Sequence, residues 1–306
     1  MMLDKILIVM RCAERMTQTF SDLEKYGISC CTSRFSSPAC SLQTSTTFDH
    51  FFEGGKWAGI FDFFRHNPDT LSQFDYFWFP DDDIVSSTQN ALDFLKIVVS
   101  ENFELAQPAL TPNSFYAYRP TLQNPQFIFR HTNFVELMLP IMKKEILTKV
   151  LPLFEQRHAA LGVDQFWHLL STDPANKIAI VDQTPMYHSR PRGTFLKENM
   201  TRQSRSISDE KQQTVALLNI VPTPPVTMSG RLKGKHETAG RISTGFGLVR
   251  GLYHIKQDVK DRAITNFDIF SDFMKCVIFH KSASVDLSRI DNLQSEFAMR
   301  FPQLSP

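Results

Sequence analysis

The sequence predicts an α/β protein with helices covering a sheet. Three observations carry this. Short continuous apolar runs occur at Lys5-Ile-Leu-Ile-Val-Met10, Tyr76-Phe-Trp-Phe79 and Lys177-Ile-Ala-Ile-Val181. Amphipathic stretches alternate with them, and Gly or Pro punctuates the joins. Apolar runs of that length suit strands buried on both faces, as in a parallel sheet. Their alternation with helices gives a layered α/β arrangement over the first 190 residues or so.

Taken in order, Lys5 to Met10 is the first strand. Residues 14 to 26 read as helix, with Met16, Phe20 and Leu23 spaced by four and three. Residues 29 to 47 are rich in Ser, Thr and Cys, show no period, and are assigned no element. Gly54-Gly55-Lys56 is a turn that opens a helix over Trp57 to Phe64, and Asn67-Pro68 stops it. Tyr76 to Phe79 is the second strand, whose ladder Pro80 ends. Residues 88 to 99 form an amphipathic helix with Leu92, Leu95, Ile97 and Val98 inward. Leu105 to Thr111 and Phe127 to Phe129 are further strands. Residues 134 to 151 carry a helical pattern around Pro140, and another helix starts near Val163. Lys177 to Val181 is the last strand.

Beyond Phe195 the composition changes. Residues 197 to 213 are polar, and 222 to 247 are rich in Pro, Thr, Gly, Lys and Arg, which reads as a flexible connector. Residues 264 to 279 read as helix. The expected division is a catalytic domain over 1–195, then a connector and a smaller helical appendage over 196–306.

The chain has 306 residues, 42% of them apolar and 21% charged, which excludes collagen, coiled coil and wholesale disorder. With 33 basic and 32 acidic side chains the formal charge is +1, so no global field draws it to nucleic acid. Twenty-seven Phe promise a large aromatic core and rings that can stack on a base or sugar. The five cysteines, Cys12, Cys30, Cys31, Cys40 and Cys276, fit neither a disulfide framework nor a zinc spacing. No apolar run reaches eighteen residues. These features predict a cytoplasmic protein, compatible with peripheral contact at the inner face of a membrane. They assign no oligomeric state.

The most informative segment is Asp81-Asp82-Asp83, directly after a buried strand. Ligands of α/β sheets bind outside the carboxyl ends of strands. In extended chain Asp81 and Asp83 share a face, and a hard divalent cation relieves their repulsion. The structural alternative is an acidic turn that caps the following helix.

A hydrophobic strand ending in Asp-x-Asp resembles the metal motif of GT-A glycosyltransferases. The longer text also resembles a largely bacterial family, built on a domain of unknown function, that is itself GT-A-like. The matching pieces are Gly54-Gly-Lys-Trp-Ala-Gly59, Asp75-Tyr-Phe-Trp-Phe-Pro-Asp-Asp-Asp-Ile84, Leu105-Ala-Gln-Pro-Ala-Leu-Thr-Pro112, Thr132-Asn-Phe-Val-Glu136 and Gly162-Val-Asp164. The resemblance implies a GT-A-like, Rossmann-type mixed sheet flanked by helices, with a smaller C-terminal appendage. It implies Mn²⁺ or Mg²⁺ held by Asp81, Asp83 and His188, the last from Met186-Tyr-His-Ser-Arg-Pro191. It implies Gly54, Gly55, Lys56, Asp81 and Asp82 on the nucleotide side, and Asp164 as general base of an inverting reaction. The family often shows two acidic residues there, where this chain has Val163 and Asp164. The donor would be a nucleoside-diphosphate sugar and the acceptor a glycan or glycolipid. Asn133 and Glu136 lie between the metal motif and Asp164 and suit sugar hydroxyls.

Two other readings stay open. Asp81-x-Asp83-x-Val85 fits the nucleophile pattern of haloacid-dehalogenase-type phosphatases, although it follows the second strand rather than the first. A non-catalytic carbohydrate- or nucleotide-binding protein would keep the fold without the chemistry. Gly230-Arg-Leu-Lys-Gly-Lys235 is one residue short of a P-loop and lacks the Ser/Thr. Arg231, Lys233, Lys235 and Arg241 read as a solvated basic loop.

Overall fold

The computed structural model describes residues 3–36, 46–155, 157, 159–191, 207–278 and 283–304. Cys40 and the polar residues 197–206 lie outside them.

Strand β1 (Ile6–Cys12) is buried along its whole length. Its alternation sorts the interior into two cores. Ile6, Ile8 and Met10 pack on one face with Phe20 and with Leu92 and Leu95 of the following helical layer. Leu7 and Val9 pack on the other with Trp57, Phe63, Phe64, Ile146 and Val150. A helical layer therefore covers each face, and the run lacks polar alternation for that reason.

The elements follow in order. After β1 come α1 (Gln18–Ser21), β2 (Ser29–Arg34) and β3 (Phe48–Phe51). Then come α2 (Lys56–His66), α3 (Thr70–Gln73), β4 (Tyr76–Trp78), β5 (Ile84–Val85) and α4 (Thr88–Ser100). β6 (Leu105–Leu110), β7 (Phe127–Thr132), β8 (Ile141–Lys143), α5 (Lys144–Phe154) and β9 (Ile178–His188) follow. The remaining elements are α6 (Ile207–Leu217), β10 (Thr227–Leu232), β11 (Thr238–Ala239), α7 (Arg241–Ile255), α8 (Asn266–Val277) and α9 (Leu287–Arg300).

The result is an eleven-stranded mixed sheet of order β11-β10-β7-β9-β6-β8-β4-β1-β2-β3, with β5 paired to β9 off this path. β3, β2, β1 and β4 run parallel, in register at Val9↔Cys31 and Ile8↔Trp78. β8 lies antiparallel between β4 and β6, and β9 runs parallel to β6. The α/β class and the mixed sheet flanked by helices are as the sequence predicts.

Several elements differ from the sequence reading. The 29–47 segment contains β2, and β3 follows at Phe48. β2 is buried although polar, because Ser33 and Thr32 find side-chain partners in His50, Arg11 and Thr46. Residues 134 to 151 are not one helix around Pro140. Ile141–Lys143 fills the gap between β4 and β6 as a strand, and α5 starts only at Lys144. Near Val163 the chain forms two short 3₁₀ turns, Val163–Gln165 and Trp167–Leu170. The 14–26 helix is the single turn α1 continued as 3₁₀ over Asp22–Tyr26.

The 222–247 segment contributes β10 and β11, and β10 pairs antiparallel with β7. The sheet thus continues past residue 195. Gly230 permits this pairing, since a Cβ there would meet Phe127 and the Phe129 carbonyl within 3.0 Å. Leu252, Ile255 and Ile269 enter the first core, and Ile290 and Phe297 the second. Arg231 forms a two-point ion pair with Glu101 at 2.6 and 2.8 Å. Among the described residues no helix is long and apolar enough to cross a membrane.

One buried ion pair ties the sheet together. Arg130 of β7 donates to both oxygens of Asp182 of β9 at 2.8 Å, and both residues are almost fully buried. Arg130 also reaches the Leu122 carbonyl, and Asp182 accepts the Asn124 N–H. Removing one partner of such a pair leaves an uncompensated buried charge. Arg130→Ala should cost about 3–5 kcal/mol in urea unfolding. A cost below about 1 kcal/mol, the range of exposed pairs, would contradict this placement.

Candidate functional site

Pro80 ends β4, and the next residues bring three carboxylates to the carboxyl end of the sheet. The Asp81 N–H donates to the Met138 carbonyl at 3.0 Å, and its backbone pairs across to Arg11 at the end of β1. β5 follows at once and pairs Ile84 with His188. This pairing carries the end of β9 to the acidic turn. The Asp83 carbonyl accepts both the N–H and the hydroxyl of Ser189, at 3.1 and 2.9 Å.

Asp83 and His188 face each other, with Nε2 3.1 Å from Oδ2. His188 Nδ1 donates to the Phe115 carbonyl at 2.7 Å, which fixes the ring and aims Nε2 at the carboxylate. Burial opposes ionisation of both groups, but their mutual hydrogen bond and charge prevail. The imidazole is therefore raised and the carboxyl lowered from their ordinary values. The other Asp83 oxygen, Oδ1, is buried and makes no hydrogen bond. That lone oxygen beside an oriented imidazole suits a small cation.

Asp81 turns elsewhere. The Lys56 ammonium donates to its Oδ1 at 2.6 Å and to the carbonyls of Phe79, Leu137 and Met138 at 2.7 to 2.8 Å. Burial raises the Asp81 carboxyl and lowers the Lys56 amine. Asp81, Asp83 and His188 consequently do not converge as a three-ligand group. The donors of Lys56 are taken up inside the fold, not directed to solvent. Gly55 is the N-cap of α2, and the Gly54 carbonyl accepts from Arg11 at 2.8 Å. Asp82 is ion-paired with Arg190.

Asp164 lies in the 3₁₀ turn after Gly162, whose φ of +94° favours glycine. The backbone N–H groups of Gly162 and of Asp164 itself face its carboxylate. Its nearest opposite charge is Lys211 of α6, and burial raises its carboxyl to about 6. It shares no hydrogen bond or ion pair with the acidic triplet. The link between them is aromatic: Trp57, next to Lys56, stands edge-on to Trp167 with ring centroids 6.1 Å apart. Asn133 is occupied with the 223–226 segment, through Thr223, Pro224 and the Val226 N–H. It borders an apolar cavity of about 650 Å³ lined by Met228, Phe267 and Phe270. Glu136 is buried, and its N–H donates to Gln107 at 2.6 Å.

Two site residues escape the sequence reading. Arg190 reaches both Asp82 and Asp83. No local signal marks it, because it lies beyond the end of β9 and is brought to the acidic turn by the pairing of β9 with β5. Arg11 sits beneath the site and binds the carbonyls of Arg34, Phe52 and Gly54 and the Ser33 hydroxyl. Gly59 makes room for it, since a Cβ there would lie 2.5 Å from the guanidinium.

No protein-family model and no curated protein sequence matches the chain. Solved structures that it resembles include S. aureus TarS 1-349, at 12% identity and TM-score 0.42, covering 97% of this chain and 91% of that one. The same TarS fragment in complex with UDP-GlcNAc gives 12% identity and TM-score 0.41 over the same shares. A197 from STIV, at 14% identity and TM-score 0.36, covers 61% of this chain and 86% of that one. At these values the likenesses do not bear on chemistry.

The raised Asp164 carboxyl has a definite sign in stability. Between 3.8 and about 6 the folded chain keeps a proton that the unfolded chain has released. The group therefore favours folding at low pH, and this contribution is lost as pH rises through about 6. Asp164→Asn, a neutral mimic, should be more stable than the parent above that pH, by up to ~3 kcal/mol. Urea unfolding at pH 4 to 8 checks this. Parallel stability curves for the two proteins would contradict it.

Proposed function

We propose that the chain is a glycosyltransferase that moves a sugar from a nucleoside-diphosphate donor to a glycan or glycolipid acceptor. The observation that carries this reading is the acidic turn at the carboxyl end of β4. Three carboxylates, Asp81, Asp82 and Asp83, contact two basic side chains, Lys56 and Arg190. His188, both of whose ring nitrogens face oxygen acceptors, adds a third positive partner, yet one buried Asp83 oxygen beside it still makes no hydrogen bond. Such a site is built to take a cation at the position where α/β sheets bind ligands. The sequence resemblance to the GT-A motif then names the chemistry.

Asp83 and His188 would hold Mn²⁺ or Mg²⁺, with Asp81 close by on Lys56. When bound, the ion would supply Lewis-acid stabilisation to the departing nucleoside diphosphate. Lys56 pins Asp81 in place and opposes the burial that raises its carboxyl. Arg190, 39% exposed in its side chain, stands at the mouth, where its guanidinium can meet phosphate oxygens. Asp164, at about 6, suits a general base that accepts the acceptor's hydroxyl proton near neutral pH. The Trp57, Phe79, Phe154 and Trp167 layer excludes water between the two centres. Transfer by such a base is inverting.

Two measurements test this. In titrations with UDP and GDP, binding should be tighter with Mn²⁺ than with EDTA, and Asp83→Ala should remove that difference while leaving the fold intact. Equal affinity under both conditions in the parent protein would remove the metal from the account. Asp164→Asn should bind donor almost unchanged and lose about 10²- to 10⁴-fold in kcat. Turnover near the parent's would end the base assignment and, with it, the inverting mechanism.

A further inference from the structure

Outside the acidic mouth, at the edge of the sheet, lies a second cluster of metal-binding side chains. β3 is the terminal strand and places His50 against α2. Asp62 and His66 stand four residues apart on α2 and so share one helix face. His50 Nε2 is 3.1 Å from Asp62 Oδ2, and His66 Nδ1 is 3.3 Å from the same oxygen. All three donor atoms lie within 4.8 Å of one another. We propose that His50, Asp62 and His66 form a zinc-class transition-metal site that clips α2 to the edge strand.

The geometry suits the ion. Zinc bonds of 2.0–2.2 Å to nitrogen and oxygen in a tetrahedron set donor atoms roughly 3.3–3.5 Å apart. The two separations to Oδ2 are close to that already. His66 is 58% exposed, so its ring can turn to close the third side. Two imidazoles and one carboxylate with a fourth position open to water form a common three-ligand zinc set.

The surroundings hold the donors in place. His50 Nδ1 is 2.7 Å from the Ser33 hydroxyl, which Arg11 anchors at 3.0 Å. Ser33 can accept the Nδ1 proton, leaving Nε2 as the donor. Arg65 holds the other Asp62 oxygen at 2.6 Å. The single proton of His66 Nδ1 goes to the Asp62 carbonyl at 2.9 Å, so it does not also serve Oδ2. A neutral imidazole can move that proton to Nε2, which frees Nδ1 for a metal. A Ser-His-Asp nucleophile reading does not suit the same contacts, because Ser33 is wholly buried and no substrate reaches it.

The site is independent of the proposed transferase chemistry, and its test separates the two. The full chain, stripped with a chelator and checked by circular dichroism, is titrated with ZnCl₂ and CoCl₂. Asp83→Ala, which removes the proposed transferase cation site, should bind one equivalent of Zn²⁺, give a tetrahedral Co²⁺ spectrum and gain thermal stability, and the further variants are made in that background. His66→Ala, an exposed change that keeps the fold, should weaken binding by more than 100-fold, the upper end of the loss expected from altering an outer partner alone. Ser33→Ala should weaken it roughly 10- to 100-fold. Stoichiometric Zn²⁺ on the Asp83→Ala/His66→Ala double variant would overturn the proposal. So would loss of binding in Asp83→Ala, or no binding by the parent.

Discussion

Three adjacent carboxylates at the end of a buried strand cannot stand without nearby positive charge, and meeting that demand organises this end of the molecule. Coulomb repulsion between unit charges a few ångströms apart is severe where water is partly excluded. Lys56 answers it from the first turn of α2, and Arg190 from just beyond β9. Each cation also ties down backbone. Lys56 gathers the carbonyls of Phe79, Leu137 and Met138, which join the exit of β4 to the approach to β8. Ser189 and the Ile84↔His188 pairing bring the end of β9 onto the same turn. The acidic motif therefore acts as a structural hub before any ligand arrives.

Hydrogen bonding at the turn is incomplete, and the proposed cation would use the oxygen that is left. Asp81 is matched by Lys56, while Asp82 and Asp83 share Arg190. His188, oriented through Phe115, holds one Asp83 oxygen and leaves the other without a hydrogen bond. Full satisfaction would have made an inert ion-pair cluster. The candidate base sits in a contrasting environment, where burial without a close cation keeps Asp164 near neutral pH. The carboxyls thus sit in two surroundings, among basic partners at the acidic turn and buried behind the aromatic layer at Asp164.

Much of the sheet was legible in the sequence where burial produced a period. β1, β4, β6 and β9 show as apolar runs, and α2, α4 and α8 as helices with clear starts or stops. β2 was not legible, because Ser29-Cys-Cys-Thr-Ser-Arg34 depends on hydroxyl partners from distant segments. β8 was hidden because only the gap between β4 and β6 makes Ile141–Lys143 extended. The acidic triplet was readable from its place after a buried strand, while His188 entered only through the family resemblance. Lys56 drew notice as a phosphate contact, but it serves Asp81 here, and nothing local to Gly54-Gly55-Lys56 encodes that reach across 25 residues. Arg190 and the His50–Asp62–His66 cluster arise from tertiary pairing, which a single sequence leaves unwritten.

The central claim is that the acidic turn, completed by His188, takes a divalent cation together with a nucleoside diphosphate. Anomalous diffraction from crystals soaked with MnCl₂ and UDP tests it most directly. The account predicts a manganese peak within coordination distance of Asp83 and His188, bridged to the diphosphate, with Arg190 moved to meet a phosphate. UDP bound elsewhere on the molecule, or bound here with Arg190 still paired to Asp82 and Asp83 and no manganese peak, would contradict it.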